Sequence, residues 1–158
     1  MKSTKYKNAL EFATIKHKNQ YRTGGEPYIT HPVEVSKMVM EMGYTEIDYL
    51  ITALFHDLLE DTDATEEEIL YYGNSNILTA VKLLTRHPGY NMDDYISKIK
   101  LNDIAKVVKT ADRLHNLKCA VVCDEKFKIK YINETKKYYL DFSEEIIRAV
   151  AELEKTLK

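Results

Sequence analysis

The fold is determined by the stretch IDYLITALFHDLLED, which runs from Ile47 to Asp61. Its apolar positions recur at helical spacing and predict a helix with one buried face; they are Ile47, Leu50, Ile51, Leu54 and Leu58. The polar end of this helix carries an imidazole and three carboxylates, namely His56, Asp57, Glu60 and Asp61. Adjacent helical residues point about 100° apart, so His56 and Asp57 cannot both face the core. The pattern therefore indicates that these side chains converge on a cation.

The rest of the chain also follows helical periodicity. Only five glycines and three prolines interrupt it, and no segment alternates with a period of two. Predicted helices cover approximately residues 3–20, 32–42, 47–58, 65–73, 75–84, 93–100, 102–122 and 126–158, the last either continuous or broken near Asp141–Ser143. We therefore expect an all-α, compact multi-helix bundle. It would form one domain over residues 1–158, with a motif core at about 20–120 and C-terminal helices at 126–158.

Composition limits the classes of protein to which the chain can belong. Its 158 residues are 44% hydrophobic and 30% charged, which is typical of one globular domain. A net charge of −2 predicts no general attraction to nucleic acid or membrane, and no apolar run approaches the roughly 20 residues that span a bilayer. The segment from Met1 to Tyr6 has no apolar signal sequence, and Cys119 and Cys123 are expected to be free thiols. We expect a cytoplasmic protein, with formation of a homo-oligomer left open.

Two further residues could complete a metal site with the pair His56-Asp57. His31 stands at a predicted helix start directly before Pro32, and Asp112 stands within a predicted helix. Taken alone, a histidine is usually a surface residue or a core residue with satisfied hydrogen bonds, and an aspartate within a helix is usually solvated. Together, the four side chains offer two nitrogen and two oxygen ligands, a set that suits Mn²⁺, Fe²⁺, Co²⁺ or Zn²⁺.

Three longer motifs contain these residues. They are RTGGEPYITHP at 22–32, HDLLEDT at 56–62 and KTADRLHNL at 109–117. In this order they resemble the R-x-x-G-E-P-Y-x-x-H-P, H-D-x-x-E-D-T and K-x-A-D-R-L-H-N elements of the RelA/SpoT-type alarmone hydrolase domain, within the HD superfamily of metal-dependent phosphohydrolases. The resemblance implies a helical HD fold that removes the 3′-pyrophosphate from (p)ppGpp. The products would be GDP or GTP and pyrophosphate, with Mn²⁺ as the usual divalent metal.

The resemblance also implies roles for single residues. The metal ligands would be His31, His56, Asp57 and Asp112. Glu60 and Asp61 would be the catalytic acidic pair, which orients or deprotonates water and passes a proton to the leaving oxygen. Judged from the residues alone, this pair is more simply explained as a helix end that leads into a solvated acidic loop.

Four residues are predicted to contact the nucleotide substrate: Arg22, Lys109, Asn116 and Tyr139. Arg22 would pack on guanine, since a guanidinium can stack on a purine or form a fork with phosphate oxygens. Lys109 could pair with a phosphate or with Glu60, and Asn116 would read the base or the ribose. Tyr139 belongs to a weaker, C-terminal part of the resemblance.

Some features depart from the family and leave the substrate open. Cys119 stands where the family often has threonine, and we expect a chain of this length to carry no synthetase domain. We therefore expect a stand-alone enzyme similar to the small alarmone hydrolases of the stringent response. The alternatives are a phosphatase acting on the 2′-phosphate of NADPH or on simple nucleotides, and an HD module that senses a nucleotide without turnover. The pair Glu60-Asp61 argues against the sensor, which would not need it.

Overall fold

The computed structural model describes residues 3–158, and the regular structure of these residues is helical. Its elements are α1 Thr4–Lys16, α2 Thr30–Glu41, α3 Ile47–Phe55, α4 Leu58–Asp61, α5 Glu66–Tyr72, α6 Ser75–Leu84, α7 Met92–Lys100, α8 Asp103–Cys119, the 3-10 helix η1 Ala120–Val122, α9 Glu125–Tyr138 and α10 Glu144–Glu154. Met1 and Lys2, the start of the segment expected to carry no signal sequence, lie outside the described residues. The predicted all-α class is confirmed.

The chain divides into two compact units, the first ending at Lys109 and the second beginning at Thr110. Helix α8 begins in the first unit and ends in the second. The expectation that residues 1–158 form a single domain stays a prediction.

Helix α3 occupies the core of the first unit and contacts α1, α2 and α6. Its apolar residues Ile51, Leu54 and Phe55 are fully buried, because the helix is apolar on nearly all sides. The ring of Phe55 meets that of Phe12 from α1 edge to face, with centroids 5.6 Å apart. This burial holds the C-terminal end of α3, where the motif HDLLEDT begins, in a fixed position.

Several helix ends lie where the local sequence predicts them. The Ser3 side chain accepts a hydrogen bond from the Tyr6 amide and caps α1. Thr65 and Glu68 form a capping box at the start of α5: the Thr65 hydroxyl accepts a hydrogen bond from the Glu68 amide, and the Glu68 carboxylate accepts one from the Thr65 amide. Helix α7 is capped by Asn91 and begins at Met92, one residue before the approximate start predicted at 93.

The largest departure from the predicted helices lies at His56-Asp57. The apolar spacing predicts one helix that continues through Leu58, but α3 ends at Phe55 and a new, short helix begins at Leu58. Asp57 has φ −102° and ψ −2°, which is the sparsely populated bridge region between the main backbone conformations. The helix is therefore interrupted at His56 and Asp57, two of the predicted metal ligands.

The second unit is built from the end of α8, η1, α9 and α10. The predicted C-terminal helix is broken, as one of the two expectations had it, and Ser143 caps α10 by accepting a hydrogen bond from the Ile146 amide. Helices α9 and α10 pack against each other, and their buried residues include Ile132, Ile146 and Val150.

No helix within residues 3–158 combines the length and the apolar character that crossing a membrane requires.

Gly73, which directly follows α5, provides a test of the packing between α5 and α6. A methyl group at this position would lie 2.9 Å from the carbonyl oxygen of Ile69 and 3.0 Å from Cγ2 of Ile77. We expect Gly73→Ala to lower the free energy of unfolding by about 1–3 kcal/mol, because the backbone must shift. Urea denaturation measures this change. Gly24→Ala is the control, since a Cβ there meets no atom within 4 Å; equal losses in the two variants would contradict the described packing.

Candidate active site

The imidazole of His56 is held in one orientation by the turn that ends α3. Its Nδ1 donates a hydrogen bond to the carbonyl oxygen of Ala53 over 2.6 Å, and the residue is 4% exposed. A neutral imidazole that donates from Nδ1 has its lone pair on Nε2. The turn therefore aims the metal-binding nitrogen of His56 away from its own helix.

Three predicted ligands of the first unit converge on one point. Nε2 of His56 lies 3.1 Å from Oδ2 of Asp57, and Nε2 of His31 lies 4.0 Å from the same oxygen. The two imidazoles are nearly inaccessible, with ring centroids 5.3 Å apart. A lone pair and a carboxylate oxygen at such a distance repel each other unless a cation or a proton lies between them. Since the nitrogens and oxygen are ligands that a divalent metal accepts, the residues fit a divalent metal ion.

Tyr28 supports this cluster from the loop between α1 and α2. Its hydroxyl donates a short hydrogen bond to Oδ2 of Asp57, and its ring lies 5.8 Å from that of His31. The contact orients the Asp57 carboxylate, which helps a ligand to bind its metal. Tyr28 is not among the site residues predicted from the sequence. The signal that could have identified it is its place in the motif RTGGEPYITHP.

Asp61 lies at the end of α4, one helical turn beyond Asp57. Partial burial of its carboxyl group, together with the neighbouring charges of Asp57 and Glu60, raises the pKa of Asp61 to about 6. The charge of Arg86 acts in the opposite direction. A carboxyl group with such a pKa is suited to exchanging a proton near neutral pH.

Glu60, the other member of the acidic pair, is occupied by Arg86. The Arg86 backbone amide and Nε both donate to Oε1 of Glu60, over 2.7 and 3.2 Å, and Nη2 donates to Oε2 over 2.8 Å. This bidentate contact raises the pKa of the Arg86 guanidinium further. Sequence reasoning missed Arg86 because it stands 26 residues away, in a stretch that reads only as a loop. The partners proposed for Glu60 from the sequence, water or Lys109, did not include it.

Asp112 and Asn116 lie in the second unit, on α8. Asp112 is buried and accepts a hydrogen bond from the Asn116 side-chain amide over 3.2 Å. This contact agrees with the sequence pattern, which places the two residues one turn apart on the same helix face. The amide of Asn116 therefore orients a carboxylate oxygen of Asp112.

Tyr139 is also in the second unit, where its side chain supports Arg113. The guanidinium of Arg113 lies 4.0 Å from the Tyr139 ring centroid and 4.2 Å from that of Tyr131. It also donates to Glu134 over 2.6 Å and to Thr135 over 3.3 Å. Tyr139 is 1% exposed, so in this structure it serves as packing for a buried cation. Its predicted contact with substrate stays a prediction.

The other two predicted substrate contacts lie in the first unit. Arg22 is half-buried and its guanidinium lies 5.8 Å from the ring centroid of Tyr28. Its backbone amide donates to the Glu26 carbonyl over 2.8 Å, which closes the loop that carries it. Lys109, also half-buried, has its ammonium 5.7 Å from the ring centroid of Tyr95. Both predictions of substrate contact remain open.

The helical arrangement is shared with a solved structure described as "A metazoan ortholog of SpoT hydrolyzes ppGpp and plays a role in starvation responses". The two chains superpose with a TM-score of 0.73 over 99% of this chain and 93% of that chain, at 24% sequence identity. This likeness confirms the predicted HD-type helical fold.

Curated relatives are similar over most of the chain. A guanosine-3′,5′-bis(diphosphate) 3′-pyrophosphohydrolase of Aquifex aeolicus (strain VF5) is 34% identical over 139 residues, which cover 83% of this chain and 20% of the relative. The protein of the same description from Borreliella burgdorferi is 36% identical over 69% of this chain and 18% of its own length. A GTP pyrophosphokinase rsh of Brucella melitensis is 33% identical over 83% of this chain and 19% of its own length. The chain thus spans about a fifth of the length of these relatives.

The family assignment rests on residues 9–88, half of the chain, which match the family described as HD domain. The matched range contains His31 and the pair His56-Asp57, the three side chains that converge in the first unit. Sequence, fold and the geometry of these side chains therefore agree, and the chain belongs to the HD domain family.

Proposed function

We propose that the protein is a pyrophosphohydrolase that depends on a divalent metal and removes the 3′-pyrophosphate from guanosine polyphosphates such as ppGpp. The observation that carries the proposal is the convergence of His31, His56 and Asp57, one helical turn from a carboxyl group with a pKa of about 6. A site of this kind can bind a phosphorylated substrate and activate water in the same place. The descriptions of the relatives favour ppGpp as the substrate.

The metal would be held by His31, His56, Asp57 and Asp112. Asp112 is included because its motif, KTADRLHNL, matches the family element that supplies a ligand. Two nitrogen and two oxygen ligands suit Mn²⁺, which we propose as the metal. When bound, a divalent ion supplies polarisation of a phosphoryl oxygen and a lower pKa for water.

Asp61 would accept the proton of the attacking water. Water adds to the phosphorus that is bonded to the ribose 3′-oxygen, the bond between phosphorus and that oxygen breaks, and the oxygen leaves with a proton. Between uptake and delivery, this proton resides on the Asp61 carboxyl group. The raised pKa makes the carboxyl group a stronger base than an ordinary aspartate.

Glu60 has a different role from Asp61 in this scheme. Its carboxylate already accepts three hydrogen bonds from Arg86, so it is a weak candidate for proton transfer. We assign it the role of anchoring α4 to Arg86. The guanidinium also lowers the negative potential that a phosphate group meets near Asp61.

Arg22, Lys109 and Asn116 would contact the nucleotide. Arg22 lies on the same loop as Tyr28, and the Tyr28 hydroxyl supports Asp57. This loop would therefore bring a base that packs on the Arg22 guanidinium near the metal ligands. Lys109 would neutralise phosphate charge, and Asn116 would orient Asp112 while reading the base or ribose. Tyr139, whose ring packs on Arg113, would contribute to substrate binding through that residue.

A substrate panel tests the proposed function. Purified protein is incubated with Mn²⁺ and ppGpp, pppGpp, NADPH or simple nucleotides, and released pyrophosphate and phosphate are measured. We expect pyrophosphate from ppGpp, and a loss of at least about a hundredfold in Asp57→Ala, because a metal ligand is removed. Asp93→Ala, which removes an exposed aspartate from α7, is the matched control and should retain activity.

Three outcomes of this panel contradict the proposal. Phosphate release from NADPH alone would assign a different substrate to the same site. Binding of ppGpp without turnover would make the protein a sensor. Equal activity of wild type and Asp57→Ala would remove the metal cluster from the reaction.

Asp61→Asn tests the raised pKa of Asp61 in the metal-free protein. Between about pH 4 and pH 6 the folded protein binds this proton more tightly than the unfolded chain, so wild type loses stability as pH rises through this range. Asparagine does not titrate, and the variant should therefore gain stability relative to wild type from pH 4 to pH 6. Urea denaturation at a series of pH values measures the difference. A constant difference would contradict the shifted pKa.

Arg86→Ala tests the separate roles of the acidic pair. We expect kcat for ppGpp to fall by about tenfold or more, because Glu60 loses its partner and the pKa of Asp61 rises further. Arg86→Lys should restore little, since an ammonium cannot make the bidentate contact. Steady-state kinetics measures these effects, and Lys82→Ala, which removes an exposed ion pair with Glu66, is the control. Full activity of Arg86→Ala would contradict the assignment.

A further inference from the structure

Gln20 forms hydrogen bonds to two parts of the candidate site in the first unit, the loop that carries Tyr28 and the end of α4. Its backbone carbonyl accepts a hydrogen bond from the Tyr28 amide over 2.8 Å, and the Tyr28 hydroxyl donates to Asp57. Its side-chain amide donates to the backbone carbonyl of Asp61 over 2.8 Å. One residue is therefore bonded to the support of a metal ligand and to the residue that we assign to proton transfer.

The side chain of Gln20 is itself oriented by His17. Nδ1 of His17 lies 2.9 Å from Oε1 of Gln20. Because the amide nitrogen of Gln20 donates to the Asp61 carbonyl, its oxygen must face His17, and Nδ1 must carry the hydrogen. Burial lowers the pKa of His17, which agrees with a neutral ring that donates from Nδ1.

Packing alone does not explain a histidine at position 17. The residue is 2% exposed, and its ring contacts that of Tyr28 at a centroid distance of 4.8 Å. Its Nε2 is buried and has no hydrogen-bond partner among the described residues, which costs free energy that an apolar side chain would avoid. The hydrogen bond to Gln20 is the interaction that an apolar side chain of similar size cannot make.

We infer that His17 and Gln20 are positioning residues, which hold the Asp61 backbone at a set distance from Asp57 through the chain of hydrogen bonds His17–Gln20–Asp61. This inference rests on the proposed function for its kinetic consequence, but its geometric claim does not. Neither residue touches the substrate or the reacting atoms. They act by limiting the movement of the end of α4.

Two substitutions of His17 separate positioning from stability. His17→Leu fills much of the space but cannot donate to Gln20, whereas His17→Asn is smaller yet presents an amide N–H in place of Nδ1–H. We expect His17→Leu to lower kcat for ppGpp by about tenfold to a hundredfold with little change in KM. His17→Asn should retain most of kcat although its cavity lowers thermal stability. Gln20→Glu, which replaces the donor to Asp61 by an acceptor, should behave like His17→Leu.

A second measurement does not depend on turnover. The amides of Asp61 and Thr62 bond to the carbonyls of Asp57 and Leu58 over 2.9 and 3.1 Å, so their hydrogen exchange reports opening of the end of α4. We expect faster exchange in His17→Leu and Gln20→Glu, and exchange like that of wild type in His17→Asn. Lys18→Ala, an exposed neighbour, is the control and should change neither exchange nor kcat.

The outcomes distinguish this inference from the proposed function. Positioning is overturned if kcat and exchange follow thermal stability, with His17→Asn the most impaired variant, or if exchange at Asp61 is unchanged in His17→Leu. A wild-type protein that hydrolyses no ppGpp would sink the proposed function, and exchange would still decide the positioning role.

Discussion

The hydrogen bond from His56 Nδ1 to the Ala53 carbonyl determines which ring nitrogen faces Asp57. It forms where α3 ends, and α3 is held in place by the apolar residues that bury it against α1, α2 and α6. Because the donor lies on Nδ1, the lone pair on Nε2 points at the Asp57 carboxylate over 3.1 Å. Two groups that accept hydrogen bonds are thereby brought together with a second imidazole, and a cation is the natural partner of all three.

The same break in the helix organises the acidic groups. If α3 continued without interruption, the carboxylates of Asp57, Glu60 and Asp61 would all project from one continuous helix. Instead, a separate helix α4 begins at Leu58. On this helix Glu60 binds Arg86, while Asp61 lies in the electrostatic field of the Asp57 and Glu60 carboxylates. One carboxylate is paired with a guanidinium and the other has its pKa raised, so the two chemically similar residues differ in their capacity to exchange a proton near neutral pH.

Sequence reasoning succeeded where the signal is local. The capping box of Thr65 and Glu68 and the cap at Ser3 are encoded within four residues. His31 lies in a different motif from the pair His56-Asp57, and the resemblance of the motifs, not local sequence, predicted that they share a site. Sequence reasoning failed where contacts outside the motifs join distant segments: Arg86 is 26 residues from Glu60, and Gln20 is 41 residues from Asp61. No periodicity or composition marks such pairs, because their side chains meet only after the helices have packed. The break at His56-Asp57 was missed because apolar spacing continues through it.

Binding of Mn²⁺ to the purified, metal-free protein tests the central claim most directly. Electron paramagnetic resonance distinguishes hexaaqua Mn²⁺ from the bound ion, so a titration gives both stoichiometry and affinity. The account predicts one bound ion per chain, and an affinity at least about tenfold lower in Asp57→Asn, which keeps the shape of the side chain and removes its charge. The exposed variant Asp93→Asn should bind as wild type does. Absence of binding by wild type, or equal affinity in Asp57→Asn, would contradict the convergence of His31, His56 and Asp57 on a metal ion.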